Sequence, residues 1–271
     1  MKQTFCILFV FVAGLQLAGN AYAQTAASGK DTVKKYRPTY VVQKPSGPKP
    51  ISRELSVGLR LNSNGWSGFL DIGRVKSKDP KHSDMFYKVR LWQIEFTEKK
   101  DPKEVKITGQ GGGKGSNKYI YGKINNMYAL KLGRAWMKML AGKPDPGSVS
   151  IHWLYGGGFS LGMLKPYYIN AFSDPNAIKY DDNTKANFLD KNVIEGSAGF
   201  AKGLGEIKYV PGFHVKSGLH FDFSANRKSV IGVEVGVNGE YYTQEVQLLA
   251  NRTGTPYFVD LYVALQVGKR W

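Results

Sequence analysis

From Arg53 onward, apolar residues recur at every second position, and no other feature constrains this chain as tightly. A period of two is that of a β-strand with two unlike faces. Leu55, Val57, Leu59 and Leu61 alternate with Ser56, Gly58 and Arg60, and Leu70 and Ile72 with Asp71 and Gly73. Tyr87, Val89 and Leu91 alternate with Lys88 and Arg90. Val215, Leu219, Phe221 and Phe223 stand opposite Lys216, Gly218, His220 and Asp222, and Ile231, Val233, Val235 and Val237 opposite Gly232, Glu234, Gly236 and Asn238. The final run, Val259 to Val267, alternates with Asp260, Tyr262, Ala264 and Gln266. Two longer, less regular candidates near 119–136 and 148–169 bring the expected total to about eight. The pattern predicts an all-β fold, an antiparallel barrel over 53–271.

Strand periodicity leaves open which face is inside. A soluble barrel of lipocalin type turns its apolar face inward around a greasy ligand, and a membrane barrel reverses this. Side-chain types favour the membrane orientation. The non-apolar face carries Gly58, Gly73, Gly218, Gly232 and Gly236 beside long residues of both signs. Small residues next to long charged ones suit a narrow lumen, whereas glycines weaken a solvent-facing strand. Arg60, Asp71, Lys88, Arg90, Lys216, His220, Asp222 and Glu234 are therefore expected to form a structural polar network in the lumen. With eight strands that lumen is only wide enough for side chains to fill.

Loop lengths give an independent check. Bacterial outer-membrane barrels alternate short periplasmic turns with longer outside loops. Short, turn-rich connections are expected near 77–84, 142–147 and 225–228, and the alternate set near 62–65, 99–118, 170–210 and 251–255. The two longest, 99–118 and 170–210, fall in the same set. A structureless stretch as long as 170–210 is uncommon, so local structure or a binding role is expected there, with a short helix within 184–193.

The N-terminal residues predict the address. Lys2 precedes an apolar run from Phe5 to Leu17 and then the small-x-small sequence Ala21-Tyr22-Ala23, the pattern of a cleaved secretory signal over 1–23. Cleavage would remove Cys6, the only cysteine, leaving neither a disulfide nor a thiolate metal site. It would also remove Lys2 and no acid, lowering the net charge of +17 to +16. In an exported chain so basic a balance points to phosphate-bearing lipids, including lipopolysaccharide, and not to nucleic acid. Residues 24–52 hold six Lys or Arg and four Pro, the composition of a flexible tether, placed in the periplasm.

Val259, Leu261, Val263, Leu265 and Val267 lead by twos to Lys269 and Trp271, and an amphipathic last strand ending in an aromatic resembles the C-terminal signal by which outer-membrane barrels are recognised for assembly. Lys269 departs from the usual apolar series. Over 24–271 the chain resembles the small outer-membrane β-barrel proteins of Gram-negative bacteria. The segments GLRLNSNGW at 58–66, WQIEFT at 92–97 and PKE at 102–104 look like a family of such barrels from Bacteroidota. The resemblance implies fold and location, the cell outer membrane. Barrels of this kind include porins, adhesins, lipid-modifying enzymes and accessory parts of secretion or assembly machines, so no function and no functional residue carries over.

Candidate chemistry is sparse. GQGGGKGS at 109–116 lacks the Gly-Lys-Ser/Thr ending of a phosphate-binding loop, because Gly115 follows Lys114. His220 and Asp222 share a face two residues apart, as a base and its orienting carboxylate would, but Ser217 points to the other face. His82, His152, His214 and His220 show no metal-ligand spacing, so no metal and no cofactor is expected. Trp66, Trp92, Trp136, Trp153 and Trp271 are expected in part at membrane boundaries. These features predict a non-catalytic integral outer-membrane barrel, a structural protein or an accessory subunit of an outer-membrane assembly or secretion complex, with other outer-membrane or periplasmic proteins as partners. Two alternatives stay open: a lipid-modifying enzyme of deacylase or acyltransferase type, for which His220 needs a serine in reach, and a soluble periplasmic lipid-binding barrel, which needs an apolar cavity.

Overall fold

The computed structural model describes residues 51–77, 86–110, 118–143 and 147–271. The expected signal segment, nearly all of the tether, the connection at 78–85, most of the glycine-rich stretch at 109–116 and His82 lie outside the described residues. In chain order the strands are β1 (Arg53–Asn62), β2 (Gly65–Ser77), β3 (Phe86–Lys99), β4 (Lys106–Thr108), β5 (Lys118–Ile120), β6 (Asn125–Ala141), β7 (Ser150–Pro166), β8 (Tyr168–Ala171), β9 (Asp174–Lys179), β10 (Ile194–Ser197), β11 (Lys208–Asp222), β12 (Ser229–Val246) and β13 (Thr255–Arg270). The eight long strands close into an antiparallel barrel in the order β1-β13-β12-β11-β7-β6-β3-β2. The ring is sealed by pairing of the first and last strands, from Glu54 opposite Arg270 to Asn62 opposite Tyr262.

The period of two becomes the two faces of this wall. Leu59, Val215, Leu261 and Leu265 project outward and are exposed, whereas Ser56, Arg60, Asp71, Lys216, Glu234 and Gln266 on the alternate positions are buried inside. Glycines on the inner face let strands and rings approach closely. A Cβ at Gly158 would lie 2.1 Å from the backbone oxygen of Leu132 on β6, and one at Gly133 would lie 2.9 Å from the ring of His214.

One strand runs in the opposite phase to the sequence expectation. Val89 and Leu91 of β3 are buried inside the barrel, and Lys88 and Arg90 are exposed on its outer face. The reason is a change in the interior along the barrel axis. Toward the end that carries both barrel termini, Val75, Val89, Leu91, Ala135, Met137 and Leu154 pack into an apolar core, so at this level apolar side chains belong inside. Further along β3 the phase is easier to read: Trp92, Ile94 and Phe96 face out, and Gln93, Glu95, Thr97 and Lys99 face in.

At the opposite end, the loop end, the long connections are folded. The β3–β6 connection contains the β4–β5 hairpin, and the β7–β11 connection contains a three-stranded sheet in the order β10-β8-β9. Helix α1 (Lys185–Leu189) forms within the stretch expected to be helical and buries Phe188. Tyr119, Ile169, Ala171, Ile178, Phe188 and Ile194 make one apolar cluster, so the two loops share a small core. A second loop-end cluster joins Met127, Leu164, Val210, Tyr242, Val246 and Leu248.

Glu206, in a 3-10 turn of the larger loop, accepts hydrogen bonds from Lys179 and from the Tyr168 hydroxyl. The Lys179 bond, supported by that of Tyr168, holds the exposed Glu206 carboxyl below the ordinary carboxylate range. A depressed carboxylate contributes stability that is present above its ordinary pKa and lost as pH falls through the lowered value. Amide exchange over Leu204–Glu206, normalised to that of the barrel strands, should therefore accelerate through that acidic window. The Glu206→Gln variant should show faster exchange already at neutral pH and little further change on acidification.

Candidate functional site

The interior of the barrel is the largest concentration of ionisable groups. At its centre the Arg60 guanidinium bridges two carboxylates, pairing with Glu95 and, at 3.3 Å, with Glu234. Its plane lies over the rings of Tyr262, 4.4 Å away, and Phe69, 4.7 Å away. The network climbs toward the loop end by alternating charge. Lys131 binds Glu95 at 3.1 Å and Glu240 at 2.5 Å, and Lys99 binds Glu240 at 3.1 Å and Asp260 at 2.5 Å. The hydroxyls of Tyr242 and Tyr262 donate to Glu240 and Glu234 at 2.7 and 2.8 Å.

On the termini side of Arg60 the contacts turn from ionic to amide-mediated. Lys216 donates to Gln93, whose amide donates to Asp71 at 2.6 Å, and Gln266 donates to Asp71 at 3.1 Å. Below this layer Arg270 binds Glu54 and Asp222, both at 2.7 Å, and Lys143 reaches Asp222 at 3.2 Å. Charges in a low-dielectric interior persist only when paired and hydrogen-bonded.

Six of the eight residues expected in the lumen are buried inside the barrel: Arg60, Asp71, Lys216, His220, Asp222 and Glu234. Of these, Arg60 and Glu234 make a direct ion pair, and Asp71 and Lys216 meet through Gln93. Asp222 belongs to a separate cluster near the termini end, with Arg270 and Lys143. Lys88 and Arg90 do not join the network, because β3 turns them outward. Sequence reasoning missed Glu54, Glu95, Lys99, Lys131, Glu240 and Arg270, and it placed Asp260 on the polar face without including it in the network. The signal for Glu95 and Lys99 was the alternation Gln93-Glu95-Thr97-Lys99 opposite Trp92, Ile94 and Phe96.

The histidines divide. Among the described residues both ring nitrogens of the buried His220 lack a hydrogen-bond partner and no serine is in reach of it, and its ring stands edge-on to that of His152 with centroids 6.1 Å apart. His214 instead has Ser160 at 3.0 Å from its Nδ1. A serine–histidine contact is the first element of nucleophilic catalysis, but both residues are packed inside the wall, 3% and 5% exposed. Among the described residues no group of His, Cys, Asp or Glu is arranged to hold a metal ion.

The polar side chains inside the barrel are almost completely buried. Arg60, Asp71, Lys131, Glu234 and Gln266 are all at most 2% exposed. The interior is thus packed, with polar side chains over most of its height and the apolar cluster toward the termini end, and not an apolar cavity, and the lipid-carrier alternative lacks its binding site among the described residues. A recess of about 120 Å³ lies at the loop end between Asn64, Asp101, Leu248, Arg252 and Phe258. The Arg252–Asp101 pair, at 2.9 Å, forms part of its lining.

No protein-family model and no curated protein matches the sequence. Among solved structures the chain is similar to Neisserial surface protein A (NspA), with a TM-score of 0.36 and 8% identity, covering 82% of this chain and 96% of that one. It is also similar to Ail, the attachment invasion locus protein of Yersinia pestis, with a TM-score of 0.32, 11% identity and the same coverage. At these values the likeness adds nothing to the barrel already described.

Proposed function

We propose that this chain is an integral outer-membrane protein whose barrel crosses the bilayer with its termini toward the periplasm. It acts without catalysis, as a structural protein or an accessory subunit of an outer-membrane assembly or secretion complex. The observation that carries the first part is the outward belt. Leu61, Val259 and Leu261 are 71%, 69% and 66% exposed, among many others, while ion pairs fill the interior. In water such a surface is an aggregation hazard, and in lipid it is the solvent-matched face. Closure satisfies the edges of all eight barrel strands, the condition for crossing hydrocarbon. Exposed aromatics stand near both ends of the belt, Trp66, Tyr209, Tyr241 and Tyr257 toward the loop end and Trp153, Phe223 and Trp271 toward the termini, where amphipathic rings favour the lipid–water boundary.

The second part is supported by the packed interior, which favours action through surfaces, and by the folded loops. A shared apolar core at the loop end gives a preformed outer surface for lipopolysaccharide or protein contacts. The test is extraction of membranes with alkaline carbonate, followed by purification in mild detergent. Retention through the wash and release only by detergent are expected, with partners co-purifying in fixed ratio. Release without detergent overturns the membrane reading. A lone barrel overturns the subunit reading and directs attention to lipid-turnover assays.

A further inference from the structure

The outer face near the termini end carries two rows of cations set against one another by the strand register. Arg53 is the Cα partner of Arg74, and Arg74 of Arg90. Lys76 is the partner of Lys88, and Lys88 of Lys138. All six are exposed. Like charges directly opposite one another destabilise a sheet. Glu54, next to Arg53 on β1, does not offset the arginine row, because it points inward to Arg270. On β3 the acid Glu95 is likewise inside.

Above these rows, Arg134 of β6 stands within the apolar belt. Its guanidinium lies 4.7 Å from the ring of Trp92 and 6.0 Å from that of Trp136. Its register partner on β7 is Gly157, so no side chain stands opposite it on that side. Arg134 makes no ion pair among the described residues. Arg90 pairs with Trp136, two positions from Arg134, so the two guanidiniums are diagonal neighbours on adjacent strands. Aromatic faces offset only part of what an arginine loses on leaving water.

We propose that this face is a binding site for an anionic glycerophospholipid, with its phosphate held between Arg90 and Arg134. Paired guanidiniums match phosphate oxygens by forked hydrogen bonds. The lysine row at the rim supplies longer-range attraction, and Trp92, Ile94 and Leu132 flank the acyl chains. The inference rests on the membrane-spanning reading. A lipid fits better than a protein carboxylate because the cations lie along the edge of the apolar belt, where headgroups are, and their stems can run along the wall.

The test uses the full-length protein carrying W66F, W153F and W271F, so that Trp92 and Trp136 report. It is reconstituted in phosphatidylcholine vesicles with either brominated phosphatidylglycerol or brominated phosphatidylcholine. Quenching should show a preference of at least about five-fold for phosphatidylglycerol, weakening with salt, and R90Q/R134Q should reduce it to near parity. K88Q/K138Q, which should lower it partially, serves as a second variant if the first does not insert. Equal quenching by the two lipids overturns the site while leaving the membrane reading intact. Quenching by neither, with a Trp271-only protein also unquenched by both lipids, overturns the membrane reading as well. Protection of Trp92 and Trp136 from both lipids, with a Trp271-only protein quenched normally, means that a second copy covers the face and also overturns the proposal.

Discussion

Replacing Arg60 by leucine should lower the unfolding free energy of the barrel by about 3–5 kcal/mol, the range for removing one partner of a buried ionic cluster. Leucine fills part of the volume but strands two carboxylates. Glu234 keeps only the Tyr262 hydroxyl, and Glu95 keeps Lys131, which it already shares with Glu240. Lysine at the same position restores the charge but not the fork that spans Glu95 and Glu234, so R60K should fall between the two. Urea titration of the detergent-folded protein, followed by tryptophan fluorescence, measures the difference. A loss below about 1 kcal/mol for R60L would mean that water or neighbouring cations compensate the network, and that the lumen is looser than its burial indicates.

Leu261→Arg should cost about 2–4 kcal/mol when the protein is folded into lipid bilayers, because a charge near the middle of the hydrocarbon is poorly solvated. Leu261 is flanked on its face by Val259 and Val263 and touches no polar network. In a water-soluble barrel the same substitution at an exposed site would stay within about 0.5 kcal/mol. Reversible urea unfolding in short-chain lipid vesicles separates these outcomes. A near-neutral result in lipid would remove the main support for a membrane-spanning wall.

Most of the architecture is legible in the residues because the wall of this barrel obeys one rule over nearly its whole height. In β1, β12 and β13 the aliphatic positions face outward and the alternate positions face the polar lumen, so period and phase are both plain. On β3 the rule inverts. Val89 and Leu91 lie at the level of the apolar plug, where an inward side chain is greasy, and counting from them turns Lys88 and Arg90 the wrong way. Starting from Trp92, Ile94 and Phe96 gives the correct phase. The ion pairs were less accessible for a different reason: Arg60 meets Glu95 and Glu234, which are 35 and 174 residues away. A strand's own sequence fixes which side chains enter the lumen, but partner choice depends on how far neighbouring strands are staggered. The folded loops follow the same division. Their length announced structure, whereas the burial of Phe188 against Ile169 and Ile194 depends on three segments meeting in space.

The seam between β1 and β13 places a condition on how this molecule comes into being. The first strand has no lasting partner on that side until the residues from Thr255 to Arg270 arrive, about two hundred positions later. No partly synthesised chain can therefore be a smaller version of the finished object. It is an open sheet with two bare edges and a greasy outer surface, the species most inclined to associate with its own kind. A single late step in which the two ends of the chain find each other follows from the geometry of the ring itself.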